Sequence, residues 1–262
     1  MSDPIVIVSA ARTPMGSFQG DSSALSAHDL GGVAIAAAVQ RAGISPDLIT
    51  EVLLGNCLMA GQGQAPARQA AFKGGLPQSA GAVTLSKMCG SGMRAAMFAH
   101  DMLLAGSHDV LVAGGMESMT NAPYIAMGGR AGFRYGNVEL ADGIIKDGLF
   151  CSFGNVLMGE GTDRDTGTTI SRDEQDQFAV TSNVRAAAAQ EKGLFDDEMI
   201  PVAIPQRKGD PVMFKVDEGV RGNTTMESLG SLKPAFVKDG TITAGNASQI
   251  SDGGSAVIVM SK

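Results

Sequence analysis

The sequence has no tryptophan, and it has few tyrosines, histidines and cysteines: two, three and three among 262 residues. The cysteines, Cys57, Cys89 and Cys151, are far apart and form neither the spacing of a metal site nor a disulfide framework. This favours a reducing compartment, and we expect a cytoplasmic protein without a bound metal. The start, MSDPIVIVSAART, has no basic stretch before a long apolar core, so no signal peptide is expected. No apolar run approaches the ~18 residues of a membrane helix.

The chain also lacks an excess of basic residues. Lys and Arg number 20 against 27 Asp and Glu, which gives a formal net charge of −7. A general nucleic-acid-binding surface is therefore not expected, because phosphate binding needs clustered Lys and Arg. An anionic small molecule can still bind where basic side chains gather locally. Hydrophobic residues make up 44% and charged residues 18%, so we predict a globular fold.

Short apolar runs alternate with helix-like segments through the first ~116 residues, as in α/β proteins. The predicted strands are 5–9, 51–54, 82–86 and 110–113, and the predicted helices are 27–43, 65–74 and 91–105. This rhythm predicts a mostly parallel sheet with helices on both faces. The run SAVIVM at 255–260 predicts a fifth and final strand.

The strand–helix rhythm stops near Glu117 and returns only at the final strand. Between them, Ser171 and Glu174 form a capping box that predicts one clear helix. The preferred interpretation is one α/β domain of residues 1–116 and 251–262, with an inserted loop domain at 117–250. The alternative, two sequential domains, leaves the final strand without a sheet to join.

The predicted helix 91–105 has only three strongly polar side chains, those of Arg94, His100 and Asp101. A surface helix normally carries a broad polar face. We therefore expect this helix to be buried on two sides, between layers.

Cys89 lies in LSKMCGSGMRAAM, between the third predicted strand and this helix. Such a turn places a side chain at the C-terminal edge of the sheet, where ligand sites of α/β proteins form. The helix dipole and the free N–H groups there favour a thiolate, and the small residues that follow leave room for a substrate. From the residues alone, a reactive thiol and a buried structural cysteine remain equally open.

Five motifs together resemble the thiolase family. They are IVSAARTPMGSFQG at 7–20, GNCLMAGQGQAPARQAA at 55–71, LSKMCGSGMRAAM at 85–97, AGGMESMTNAPY at 113–124 and TAGNASQISDGGSAVIVMS at 243–261. The resemblance implies that Cys89 takes an acyl group from acyl-CoA as a thioester. It then implies transfer to CoA or to the enolate of acetyl-CoA, as in fatty acid metabolism. Coenzyme A thioesters would be the substrates, with no separate cofactor, and the protein would form a homo-oligomer.

The resemblance also implies site residues within the insertion, which would be the CoA-binding loop domain. The implied CoA contacts are Arg221, Ser228, Phe236, Ala244, Gly245 and Ser248. The implied lining of the acyl pocket is Leu149 and Met158. Each has a plain alternative, such as a solvated charge for Arg221 or a core position for Phe236. Leu157 stands where short-chain members often have His, which weakens an assignment to acetoacetyl-CoA.

The family's chemistry needs a His that deprotonates the nucleophile and a second Cys that moves the substrate's α-proton. The C-terminal motifs that carry them, resembling NEAFA, GHPxGxSG and CxGGGxG, do not occur in this sequence. His100 would lie about 16 Å along the helix from Cys89 at about 1.5 Å per residue. His108 would lie at the opposite edge of the sheet, and His28 has no evident orienting partner. We therefore expect the N-terminal part of a thiolase, inactive by itself, with the C-terminal half on a second chain or lost by truncation.

Two other classes remain open. One is a non-catalytic acyl-CoA-binding or scaffold subunit, which the missing base favours and the retained Cys89 disfavours. The other, a ketoacyl-synthase relative, shares the strand–Cys–helix turn. It fits the motifs ARTP, AGGMESM and GNASQISDG poorly.

Overall fold

The computed structural model describes residues 4–166 and 169–262. Numbered along the chain, the strands are β1 (Ile5–Arg12), β2 (Gly16–Ser17), β3 (Glu51–Gly55), β4 (Gly81–Leu85), β5 (Val110–Ser118), β6 (Tyr124–Ile125), β7 (Ala141–Asp142), β8 (Phe150–Cys151), β9 (Val156–Leu157), β10 (Val202–Ile204), β11 (Val212–Phe214) and β12 (Ser251–Ser261). The α-helices are α1 (Ala27–Ala42), α2 (Pro66–Lys73), α3 (Ser91–Leu104), α4 (Met158–Thr166), α5 (Arg172–Glu191) and α6 (Met226–Gly230). No described helix is long and apolar enough to cross a membrane.

Local signals predicted the main helices well. The Ser26 hydroxyl caps α1 in a capping box with Asp29, and Gly43 ends the helix with a φ of 65°. That positive φ favours glycine, which has no Cβ to clash there. The predicted capping box of Ser171 and Glu174 opens α5.

The chain divides into two compact units. The first contains the residues through Pro123 together with Asp196–Glu218 and Ile250–Lys262, and the second contains Tyr124–Phe195 and Gly219–Gln249. The predicted insertion, 117–250, included residues 117–123, 196–218 and 250, which instead belong to the first unit.

Two kinds of contact explain why residues 196–218 pack with the first unit. The guanidinium of Arg12 forms ion pairs with Glu198 at 2.6 Å and with Asp217 at 2.8 Å. Strands β10 and β11 pair as a hairpin, which the sequence pattern did not predict, and their buried side chains join an apolar cluster with Leu25 and Leu30. Ion pairs and apolar burial thus hold residues 196–218 within the first unit.

The main sheet has the strand order β1–β12–β5–β3–β4, with the short β2 beside β12. The five predicted strands are present, and β3 pairs in parallel with β4 and β5. Strand β12 instead runs antiparallel to both β1 and β5, which the sequence pattern did not anticipate. Asp252 pairs with Ser118, so the chain leaves β5 and enters β12 at the same edge of the sheet. A strand that enters from the edge where its neighbour ends must run in the opposite direction.

Helices cover both faces of the sheet, as predicted. Helices α1 and α2 pack on one face with β3 and β5, and α3 packs on the other face through Ala95, Ala99 and Leu103. The outer side of α3 is exposed, with Met93 at 72% and Leu104 at 54% of their free accessibility. The expected burial of this helix therefore occurs on one side only within the described chain.

Candidate functional site

Cys89 lies on the turn between β4 and α3, at the edge where the parallel strands end, and its side chain is exposed. The hydroxyl of Ser91 closes this turn. It accepts a hydrogen bond from the Lys87 amide at 2.7 Å and donates one to the Met88 carbonyl at 2.5 Å. Met88 has a φ of 50°, a strained value for a residue with a side chain. The structure therefore contradicts a buried structural role for Cys89.

Close packing brings the first turn of α3 onto the sheet. A Cβ on Gly55, at the end of β3, would lie 2.6 Å from the Gly92 amide nitrogen. Only glycine fits at such a distance, because a Cβ essentially never approaches a backbone atom so closely. The glycine of the GNC motif thus sets how near the Cys89 turn lies to β3, a role that the sequence did not reveal.

A half-buried carboxylate lies next to this turn in the first unit. Glu117, near the end of β5, accepts a hydrogen bond from the Cys57 amide at 2.7 Å and from the Asn56 side chain at 2.6 Å. Burial raises the pKa of the Glu117 carboxyl. Burial likewise raises the pKa of the Cys57 thiol, which keeps that side chain protonated. Neither residue was predicted to have a function from the sequence; the motifs that contain them, GNC and MES, were the available signal.

The three histidines form hydrogen bonds away from Cys89. His28 Nδ1 lies 2.8 Å from the Ser26 hydroxyl, His100 Nδ1 lies 3.2 Å from Asp101, and His108 Nδ1 lies 2.9 Å from the Thr50 hydroxyl. Burial and the nearby Lys73 lower the pKa of His28. We find no hydrogen bond between a histidine and Cys89 in the described chain, so these contacts provide no general base.

The residues implied as CoA contacts all belong to the second unit, whereas Cys89 belongs to the first. Arg221, Ser228, Ala244 and Ser248 are exposed. The Arg221 amide donates to Asn183 of α5 at 3.0 Å. Ser228 lies in α6 and completes a capping box with Thr225. A cationic side chain and two serine side chains are thus accessible on this unit.

Two buried aspartates hold the segment that carries Ala244 and Gly245. Asp163 Oδ1 accepts hydrogen bonds from the amides of Thr241 at 2.6 Å and Ile242 at 3.0 Å. Asp176 accepts one from the side chain of Asn246 at 2.8 Å and pairs with Arg172 at 2.7 Å. Sequence reasoning missed both aspartates, because they are distant along the chain from the loop that they hold.

Phe236 packs directly over α4. A Cβ on Gly159 would penetrate the Phe236 ring, so this contact requires glycine. The ring therefore lies next to the residue that follows Met158, which brings one implied CoA contact near one implied acyl-pocket residue. Met158 is 53% exposed. Leu149 is half-buried at the end of the π-helical turn Ile145–Leu149.

Cys151, on β8 in the second unit, is half-exposed, and its sulfur accepts a hydrogen bond from the Gly154 amide at 3.3 Å. That hydrogen bond lowers the pKa of the Cys151 thiol. Within residues 4–166 and 169–262, no group of three or more His, Cys, Asp and Glu side chains is placed to hold a metal ion.

The fold and the turn define an α/β protein with an exposed cysteine at the start of a sheet-packed helix. A family model described as the thiolase N-terminal domain matches residues 5–262. The chain therefore belongs to the thiolase family.

Curated relatives and a solved structure agree with this family. The chain is 50% identical over 260 residues to an acetyl-CoA acetyltransferase of Cupriavidus necator, covering 98% of this chain and 66% of that protein. It is 46% identical over 261 residues to a probable acetyl-CoA acyltransferase of Staphylococcus aureus, with the same two coverages. The crystal structure of the Bacillus anthracis acetyl-CoA acetyltransferase matches with a TM-score of 0.95 and 36% identity, over 100% of this chain and 66% of that one. The chain thus spans 66% of the length of these proteins.

Proposed function

We propose that Cys89 is the nucleophile of an acyl transfer between acyl-CoA and CoA or acetyl-CoA. The observation that carries this proposal is the exposed Cys89 at the start of α3 in a chain of the thiolase family. The names of the relatives, acetyl-CoA acetyltransferase and acetyl-CoA acyltransferase, support the same chemistry. A thiol suits it, because exchange between two thioesters is nearly balanced in free energy and a thiolate is a strong nucleophile.

In the proposed reaction, the Cys89 thiolate attacks the carbonyl carbon of the acyl-CoA thioester. The bond from that carbon to the CoA sulfur breaks, and CoA leaves as a thiolate that takes a proton. The acyl group on Cys89 then passes to the sulfur of another CoA, or to the α-carbon of an acetyl-CoA that has lost a proton. The second route is a Claisen condensation, and its reverse is thiolysis of a 3-ketoacyl-CoA.

Mass spectrometry tests the first half of this reaction directly. The chain assembled with a thiolase C-terminal half is incubated with acetyl-CoA, and we expect one acetyl group on the peptide that contains Cys89. The Cys89→Ser variant and unacylated CoA are the controls. Acetyl-CoA binding without acetylation of Cys89 would instead favour the alternative, a non-catalytic acyl-CoA-binding or scaffold subunit.

We also propose that the second unit is the CoA-binding loop domain. CoA is strongly anionic while the chain is net acidic, so local cations such as the exposed Arg221 must recognise its phosphates. We expect Arg221→Ala to weaken CoA binding in calorimetry and to reduce its dependence on salt. Arg207→Ala, which removes an exposed cation of the first unit, is the matched control. Equal CoA affinity in the wild-type chain and the Arg221 variant would reject this role.

The outer side of α3 supports a further part of the proposal, a thiolase C-terminal half as partner. Met93, Met97 and Leu104 expose their apolar side chains there. Soluble proteins rarely leave an apolar patch of more than a few hundred Å² open to water. The proposed partner would cover this side, and it would bring the His and the second Cys that the family's chemistry needs. A homo-oligomer of the assembled protein in the cytoplasm completes the proposal.

Co-expression tests the proposed partner. By itself the chain is expected to self-associate in light scattering and to show no cleavage of acetoacetyl-CoA. Each missing proton-transfer group is typically worth about 10²–10⁴-fold in rate. A thiolase C-terminal half should restore both a defined particle and activity, and Met93→Lys with Met97→Lys should prevent this assembly. A monodisperse and active chain without the second half would contradict the proposal.

A further inference from the structure

The carboxylate of Glu117 connects two segments that are distant along the chain. It accepts hydrogen bonds from the Asn56 side chain and from the amides of Cys57 and Leu58, at 2.6, 2.7 and 3.2 Å. The three donors belong to the segment that follows β3, and Glu117 lies near the end of β5. Three donors to one carboxylate fix the path of this segment, because charge-assisted hydrogen bonds are the stronger ones.

Cys57 connects this segment to the turn that carries Cys89. Its sulfur lies 3.8 Å from the Ser91 hydroxyl oxygen. The hydroxyl hydrogen of Ser91 goes to the Met88 carbonyl, so the oxygen is free to accept the Cys57 thiol hydrogen. Burial raises the pKa of Cys57, so that the thiol keeps the hydrogen that it donates.

The turn itself needs support from its surroundings. Met88 adopts a positive φ that a residue with a side chain keeps only where neighbouring groups hold it. Ser91 bonds to both Lys87 and Met88, and Cys57 bonds to Ser91. Contacts therefore link Glu117 through the Cys57 amide, the Cys57 thiol and the Ser91 hydroxyl to Lys87 and Met88, the two residues before Cys89.

We propose that Glu117 and Cys57 are positioning residues that hold the Cys89 thiol at the N-terminus of α3. Neither touches the reacting atoms; they act through Ser91 and the turn. This inference rests on the proposed role of Cys89 as the nucleophile. Its test measures the reactivity of the thiol with a small alkylating reagent, so it does not depend on acyl transfer.

The experiment compares two thiols of the same molecule. Iodoacetamide alkylates Cys89 and Cys151, and peptide mass spectrometry gives the ratio of the two rates. Cys151 belongs to the second unit, so it is an internal reference for global unfolding. We expect Glu117→Gln to lower the ratio about two- to tenfold, because a helix N-terminus stabilises a nearby anion by that order only when the anion is held there. An unchanged or higher ratio would overturn the proposal.

Two Cys57 variants provide a second test of the proposal if Glu117→Gln does not fold. Cys57→Ser retains a hydrogen-bond donor and should keep the ratio within about twofold, whereas Cys57→Ala should lower it. Equal ratios in these two variants would contradict the role of Cys57. Glu51→Gln, at the opposite end of β3, is the matched control and should leave the ratio unchanged.

Acetylation by acetyl-CoA separates this proposal from the proposed function. If Cys89 takes no acetyl group while the alkylation ratio still responds to Glu117 and Cys57, the acyl transfer fails and the positioning role stands. If Cys89 is acetylated and the ratio does not respond, the positioning role fails and the acyl transfer stands.

Discussion

Buried apolar side chains are unequally shared between the two compact units. Within the described residues, most of them lie in the first unit, between the sheet and helices α1, α2 and α3. The second unit contributes few buried hydrophobic residues: Ile144, Ala179, Leu229 and Ile242. Its interior instead contains the carboxylates of Asp163 and Asp176, which hold loop groups by hydrogen bonds.

This difference indicates how each unit is stabilised. Apolar burial is non-directional and favours any arrangement that removes the side chains from water. A buried carboxylate stabilises only the arrangement that satisfies its hydrogen bonds, and it is costly when one is lost. The first unit should therefore respond most to cavities, and the second to the loss of particular polar partners.

A cavity in the first unit should have the largest effect. Ile35 of α1 is fully buried in the cluster between α1 and the sheet. We expect Ile35→Ala to lower the free energy of unfolding by about 2–5 kcal/mol in urea denaturation, because it removes apolar burial and leaves a cavity. Gln40→Ala, at an exposed position of the same helix, should stay within about 0.5 kcal/mol. An equally small effect of both substitutions would break the comparison.

Removal of one carboxylate should weaken the second unit. We expect Asp163→Ala to destabilise the loop around Thr241 and Ile242 by about 2–3 kcal/mol, since buried donors lose a charged acceptor. Hydrogen exchange of these two amides should accelerate by about 30- to 160-fold. Asp165→Ala, in the same helix but in an exposed ion pair with Arg164, should change exchange little. Protection of the two amides in the Asp163 variant would show that the carboxylate is dispensable.

Two glycines of α4 should respond to alanine in opposite directions. Gly159→Ala would place a methyl group in the Phe236 ring and should cost about 1–2 kcal/mol through overpacking. At Gly161 a Cβ would only make ordinary contact with Val156 at 3.5 Å, and alanine should stabilise by about 0.5–1 kcal/mol. Thermal unfolding of both variants measures the difference. The same sign for both would argue against tight packing of Phe236 on α4.

The smallest expected effect is a difference between the titration midpoints of two thiols, one in each unit. Burial raises the pKa of Cys57 in the first unit, and the Gly154 amide lowers that of Cys151 in the second. Since the thiolate is the reactive form, alkylation of Cys151 should reach its midpoint at a lower pH than that of Cys57. Peptide mass spectrometry across a pH series measures both midpoints, and the reverse order would contradict the two environments.

Labelling with a limiting amount of iodoacetamide tests the order of reactivity of the three thiols. Cys89 is the exposed thiol at the start of a helix, and we expect it to be labelled before Cys57 and Cys151. Labelling of either other cysteine first would remove the main physical support for Cys89 as the nucleophile.

Local patterns in the sequence determined the strands and helices of this fold. The five main strands and helices α1, α2, α3 and α5 are present where they were predicted, because periodicity, caps and terminal glycines act over a few residues. Strands β1, β5 and β12 extend beyond their predicted bounds. The same local logic placed Cys89 on a turn between a strand and a helix. The five motifs placed the chain in the thiolase family.

Only the tertiary structure decided how the strands and helices pair and pack. The antiparallel direction of β12 depends on where the intervening residues leave and re-enter the sheet. The bond of Glu117 to the Cys57 amide joins residues 60 apart, and the bond of Asp163 to the Thr241 amide joins residues 78 apart. Pairing over such separations leaves no periodic signal in the chain. It depends on which side chains the packed layers bring within about 3 Å of a buried donor, and only the folded molecule specifies that.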